Sequence, residues 1–155
     1  MSDLRLQFDP SAAVGVPAHV TLMFPFVPPR DLTEALIDSL EALIAGTAAF
    51  QFSLMRVNEF AEGVVYLEPE PAEPFRRLTT EIAQEFRVLP YGGVFGDEPV
   101  PHLTVGVVQE ASARRQLVTE LSRQVPIVIN ANEAWLMVKS EAGRWNLVRH
   151  MRFRA

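Results

Sequence analysis

The sequence predicts an α+β protein built as a bilobal duplicated unit, with two facing antiparallel sheets, helices on their outer sides and a central groove. Three observations lead there. Apolar residues recur every three or four positions in some stretches and every second position in others, so the chain encodes both amphipathic helices and half-buried strands. The order strand, helix, strand, strand is read twice, over units of about residues 17–68 and 101–153 of one domain spanning 1–155. Each reading opens on a similar short pattern, Pro17-Ala18-His19-Val20-Thr21-Leu22 and Pro101-His102-Leu103-Thr104-Val105. Connected antiparallel elements of this kind bury one face of each sheet against helices.

Leu4, Leu6 and Phe8 alternate as in a strand, but the run is short enough to be the end of a helix. Val20 to Phe26 is apolar and β-prone and stops at Pro28-Pro29, which cannot continue a ladder, so it is expected to be a strand. Asp31 offers an N-cap with Glu34 three residues on, and Leu32, Leu36, Leu40 and Leu43 share a helical face that Gly46 ends. Phe50, Phe52 and Leu54 alternate with polar residues, and Val64 to Leu67 follows a turn at Gly63, which predicts a hairpin. Phe75, Leu78, Ile82 and Phe86 then mark a second helix, and the Gly- and Pro-rich stretch from Pro90 to Pro101 a loop. His102 to Val108 is the next strand, Ser112 to Gln124 a helix carrying Leu117 and Leu121, and Ile127–Ile129, Trp135–Val138 and Trp145–Val148 further strands.

Nearly half of the 155 residues are apolar and about a fifth are charged, which suits one globular domain with a sizeable core. The net charge of −5 repels polyanions, so long nucleic acid is not the expected partner, although a few donors in a groove can hold a small phosphorylated ligand. Absence of cysteine excludes disulfides, thiolate metal sites and cysteine nucleophiles. The N-terminus lacks the features of a signal peptide and no apolar run approaches the roughly 18 residues of a membrane span. A soluble, cytoplasmic protein without membrane association is expected.

On a strand, residues two apart share a face, which would set His19 beside Thr21 and His102 beside Thr104. Two imidazoles can run a complete proton cycle near neutral pH: one deprotonates the attacking oxygen, the other protonates the departing one. Threonine hydroxyls can donate to the non-bridging oxygens of a phosphoryl group as charge develops there. A lone His-X-Thr carries little weight, since threonine is common in strands and most histidines are merely hydrogen-bonded. Here two of the three histidines fall in the same pattern, at corresponding places in the duplication, which favours metal-independent phosphoryl transfer. No cofactor is called for.

Other residues weigh less. Tyr91 and Phe95 flank Gly92-Gly93 ahead of the second motif, from where a ring could stack on a base, or simply pack within the loop. Arg30, Arg149 and Arg152 could meet phosphate, yet ordinary surface charge explains them equally well. His150 has Arg152 rather than threonine two positions on and reads as a surface histidine. Trp135 and Trp145 are expected to bury against a sheet, Met23 to shape the groove floor, and nothing marks Glu133. A metal site would need both motif histidines plus Asp97 or Glu98 and has no recognisable ligand spacing. Phosphate-binding loops and the serine-hydrolase elbow are absent from the sequence.

The stretches Pro17-Ala18-His19-Val20-Thr21-Leu22-Met23-Phe24-Pro25-Phe26 and Val100-Pro101-His102-Leu103-Thr104-Val105 resemble the paired motifs of the two-histidine phosphoesterase superfamily, above all its RNA-ligase-like and cyclic phosphodiesterase members. The resemblance runs from about Asp9 to Phe153 and takes in Leu67-Glu68-Pro69-Glu70-Pro71 and Tyr91-Gly92-Gly93. It implies a bilobal α+β fold and metal-free hydrolysis of cyclic or linear nucleotide phosphodiesters, with a ligase-like reverse reaction. It also implies that His19 and His102 are the acid and base, and that Thr21 and Thr104 bind the phosphate. Relatives carry a further strand before the region matching Leu4 to Phe8, so the first lobe is expected to lack an edge strand or to borrow one from a second copy, as a homo-oligomer. The competing reading is a nucleotide or RNA-end binding module that uses the same groove without turnover, although binding alone requires no pair of titrating groups. A weaker third is an oligomeric structural protein with a vestigial groove.

Overall fold

The computed structural model describes residues 1–96 and 99–155, so Asp97 and Glu98, named above as conceivable metal ligands, lie outside the described residues. The elements are α1 (Ser2–Phe8), α2 (Pro10–Ala13), α3 (Glu34–Gly46), β1 (Phe50–Phe60), β2 (Val64–Glu70), α4 (Glu73–Phe86), β3 (Leu103–Val107), α5 (Ala111–Ser122), β4 (Ile127–Ala131), β5 (Glu133–Lys139) and β6 (Trp145–Arg152). The fold is therefore α+β. A four-stranded sheet runs in the order β3-β2-β1-β4, with β2 antiparallel to both neighbours named in its register, and β5 and β6 form a separate antiparallel pair.

The chain divides into two compact units, each assembled from three separate segments. Unit 1 comprises Met1–Val20, Phe52–Ala72 and Pro101–Ile129. Its core is the alternating face of the sheet, with Phe52, Leu54, Val65, Leu67, Leu103 and Val105 buried together with Leu4 of α1 and Leu117 and Leu121 of α5. The β1–β2 connection is a single 3-10 turn, Ala61–Gly63. Gly63 has φ +75° and an added Cβ would lie 2.3 Å from the Val108 carbonyl oxygen, so only glycine fits. Glu110 opens α5 by accepting from the Ser112 hydroxyl and from the backbone N–H groups of Ser112 and Ala113, and these bonds, the hydroxyl's above all, hold its carboxyl well below the usual range, at about 2.

Unit 2 comprises Thr21–Gln51, Glu73–Val100 and Asn130–Ala155. Ile37, Leu40 and Ile44 of α3, Leu78 and Ile82 of α4 and Met151 of β6 form its core, with Leu22, Met23, Phe26 and Leu136 packed against it. The expected α3 face is thus rotated, since Ile37 and Ile44 are the buried residues beside Leu40. Thr33 is the N-cap, its hydroxyl accepting from the Leu36 N–H, while Asp31 belongs to a preceding 3-10 turn. Phe24–Trp145, Phe26–Phe86 and Phe50–Phe75 meet edge to face with centroids 6.0, 5.1 and 5.2 Å apart.

Two expectations are corrected. Val20 to Phe26 is not a strand, and residues 14–28 carry no helix or strand at all. Pro17, Pro25 and Pro28 supply no ladder donors, and the segment's carbonyls bond elsewhere: Leu22 accepts from the Thr79 hydroxyl at 2.9 Å and Phe24 from the Tyr91 N–H at 2.6 Å. Leu22 and Met23, neighbours in sequence, both pack on the unit 2 core, which a two-residue repeat would forbid. Trp135, expected to be buried, is 43 % exposed, because its indole N–H reaches back to Glu133 rather than into a core.

Among the described residues no helix is long and apolar enough to cross a membrane.

Candidate active site

His102 immediately precedes β3, at one edge of the sheet, and Thr104 lies within it. The register pairs Tyr66 with Thr104 and Leu67 with Leu103, then Val65 with Gly106, so Val105 is an extra residue and the strand bulges there. His102 and Thr104 come before the bulge and keep strand alternation, both partly exposed while Leu103 and Val105 are buried. Their shared face is as expected. After the bulge the alternation is reset, which leaves Val107 40 % exposed.

Facing residues of an antiparallel pair project to the same side, so Tyr66 stands beside Thr104. Phe60 stacks on Tyr66 with ring centroids 4.0 Å apart, and the His102 ring meets both edge-on, at 5.0 Å from Phe60 and 5.6 Å from Tyr66. An imidazole with aromatic walls has few rotamers to choose from. Beyond Tyr66 on the same sheet, Glu68 accepts from Arg56 at 3.1 Å and from Asn58 at 2.9 Å. Burial and the Glu68 charge together push the Tyr66 phenol above its ordinary pKa.

His19 also belongs to unit 1 but lies on irregular chain, so it is not placed beside Thr21 by strand geometry. Its Nδ1 donates to the Pro17 carbonyl at 2.9 Å; a carbonyl can only accept, so this bond fixes the tautomer and makes Nε2 the titrating nitrogen. The residue keeps surface open to solvent. Even so, the protein atoms around it remove enough water that desolvation lowers its pKa, and the charges of Arg5 and His102 add to that, against the Pro17 bond and Asp9. Unit 1 thus brings His19 and His102 within electrostatic reach of each other.

Thr21 is the first residue of unit 2, where its side chain shares a hydrogen bond with the Tyr91 phenol. Burial raises the pKa of that phenol despite the bond. Tyr91 also packs edge-on against Phe95, centroids 5.6 Å apart, and Phe95 is 68 % exposed. Of the remaining cations, Arg149 binds Glu34, Asp38 and Glu41 of α3, and Arg30 lies beside Asp31 on the surface. His150 is exposed against Trp135 and Glu133, the surface role expected of it. Among the described residues no three His, Asp or Glu side chains converge as metal ligands. Two surface hollows of about 330 and 480 Å³ are lined by unit 2 residues around Arg77 and contain neither motif.

Sequence reading missed Arg5 and Asp9. Both are buried, at 4 % exposure each, and the Arg5 guanidinium donates to Asp9 and to the carbonyls of Val16, three residues before His19, and Thr104. A single arginine on a short, ambiguous segment gives no warning of this. Phe60 and Tyr66 were missed as well, being aromatic residues at ordinary strand positions.

Comparison with known proteins bears on the whole chain. Crystal structures of E. coli LigT complexed with NADP+ and with 3'-AMP share its fold at TM-scores of 0.55 and 0.54, with 14 % and 16 % identity. They align over 100 % and 99 % of this chain and 93 % and 92 % of those chains. Presumptive phosphoesterases of Bacillus cereus strain G9842 and Bacillus thuringiensis strain Al Hakam are 31 % and 30 % identical over 109 residues. Those matches cover 66 % of this chain and 58 % of either relative's length. The sequence profile of the 2'-5' RNA ligase superfamily matches residues 1–143, from α1 through both His-X-Thr motifs to the β5–β6 turn, and the chain belongs to that superfamily.

Proposed function

We propose that this protein is a metal-independent phosphodiesterase that opens 2′,3′-cyclic or related nucleotide and RNA-end phosphodiesters in the cytoplasm. The observation that carries the reading is the presence of both motif histidines in unit 1, with desolvation lowering the pKa of His19. Neutral His19, its Nδ1 proton tied to Pro17, is suited to take a proton from water through Nε2. The water oxygen bonds to phosphorus, the bond to the departing ribose oxygen breaks, and protonated His102 supplies that oxygen with a proton. The site ends with the charge moved from one imidazole to the other, ready to be reset through solvent. Thr104 donates to the non-bridging oxygens of the phosphoryl group.

The nucleotide ligands of E. coli LigT and the phosphoesterase names of the Bacillus relatives support a nucleotide phosphoester as substrate class. The inner duplication is part of the same reading, for a helix and two strands follow each motif, α3-β1-β2 after His19 and α5-β4-β5 after His102. Tyr91 and Phe95 remain candidates for stacking on a base. Chelator-treated protein should be offered a panel of cyclic and linear nucleotide phosphodiesters, with products read by mass. Conversion of a 2′,3′-cyclic nucleotide to a monophosphate is expected; silence across the panel, or activity only after a divalent metal is added, overturns the proposal.

A further inference from the structure

We propose that Arg5 is a positioning residue that couples the two His-X-Thr motifs, because one buried guanidinium holds the backbone of the second motif and of the chain three residues before the first histidine. The inference rests on reading His19 and His102 as the acid–base pair. The Arg5 side chain is 5 % exposed and its Asp9 partner 3 %. Nε donates to the Thr104 carbonyl at 3.1 Å and to Asp9; the two terminal nitrogens donate to the Val16 carbonyl and the Ser11 hydroxyl, each at 3.3 Å, and again to Asp9. Asp9 in turn accepts from the Ser11 N–H at 2.9 Å and the Ser11 hydroxyl at 2.7 Å.

Four acceptors around one cation require a planar fork of donors, which lysine lacks. The location of two of them is informative. Among the described residues β3 forms one edge of its sheet, with no ladder partner on one side of the strand, and Arg5 donates to a β3 carbonyl. That carbonyl belongs to the threonine of the second motif. The other, Val16, lies near the start of the irregular run that carries His19, a segment with no strand or helix of its own to fix it. A shift of the guanidinium therefore displaces both motifs together, and misplacement of about an ångström is enough to lose roughly a hundredfold in rate. A pair serving only to hold α1 and α2 together would need Asp9 and Ser11 but neither of the two distant carbonyls.

Arg5 also acts on His19 through charge. The charged groups recorded around that imidazole are Arg5, Asp9 and His102, with Arg5 ahead of Asp9, so removing the ion pair as a whole should raise the His19 pKa.

The test uses two variants of the full chain. Arg5→Lys keeps the charge and loses the fork. Arg5→Met combined with Asp9→Leu removes the pair without stranding a buried ion, and so protects against simple failure to fold. Turnover and KM on the best substrate of the panel are measured beside thermal unfolding and the amide and imidazole NMR resonances of both motifs. Coupling predicts at least a tenfold fall in kcat with KM changed less than about threefold, and resonances moved at His19 and at His102–Thr104 in both variants. It also predicts an upward His19 titration in the double variant. A fall in Tm with kcat and both sets of resonances at wild-type values would show a structural staple and overturn the proposal. If wild-type protein turns over no phosphodiester, the acid–base reading itself falls, and the resonances alone decide: movement at both motifs upholds the coupling, movement at one or neither overturns it.

Discussion

Desolvation of His19 has two measurable consequences. With its folded pKa below 6.5, the unfolded chain binds more protons than the native one between the folded value and 6.5. The stability linked to this histidine is therefore complete above 6.5 and is lost as pH falls through the folded value. Thermal unfolding between about pH 5 and 8 should show Tm dropping on the acid side, and His19→Asn should flatten that slope. In activity, the acid limb should lie below that of a free imidazole, and replacing either His19 or His102 by Ala should lower kcat by roughly a hundredfold or more. Thr104→Val should reduce kcat with little movement of the pH optimum, because it removes a donor and no titrating group. At this scale the repeated His-X-Thr pattern was legible, since a repeated tripeptide shows in a string of letters, and the roles proposed for its residues await these measurements. Arg5, Asp9, Phe60 and Tyr66 were not, because their importance comes from partners up to 99 positions away in the chain.

Elements were legible where apolar residues recur at a regular period, as in β1, α4 and α5, while β2 was legible as a short apolar run after a glycine turn, with Val65, Tyr66 and Leu67 all buried. The expectation failed between Val20 and Phe26, where an apolar run has its backbone bonded to a threonine side chain and a loop amide, and no pattern of hydrophobicity reports that. α1 was ambiguous because it buries just Leu4 and Arg5, leaving Leu6 66 % exposed. Arg5→Met alone strands the Asp9 carboxylate in the interior and is expected to cost about 3–5 kcal/mol in chemical denaturation. Gly63→Ala combines a left-handed φ with a clash against Val108 and should cost about 2 kcal/mol or more in the same assay. At the start of α5, the Glu110 carboxyl titrates at about 2 in the folded state against 4.5 unperturbed. Its stabilisation is full above 4.5 and fades as pH drops toward 2, so Glu110→Gln should make acid unfolding less steep in that window.

For the molecule as a whole, 19 acidic against 14 basic residues make many-phosphate binding unfavourable. Fluorescence anisotropy with long single-stranded RNA at physiological salt should show weak binding, and tight binding would contradict an end-directed substrate. The two compact units interleave along the chain, so no single cut releases either one intact. During synthesis this arrangement imposes a delay. His19 leaves the ribosome on the order of ten seconds before His102, at translation rates of about 5–20 residues per second. Until Pro101–Ile129 emerges, β2 has no β3 beside it, Arg5 has no Thr104 carbonyl to hold, and Leu54, Val65 and Leu67 lack the α5 leucines that complete their core. Ribosome-bound chains stalled before α5 should accordingly be cut by protease throughout the first 72 residues, and resistance should appear as one late step once α5 has cleared the exit tunnel.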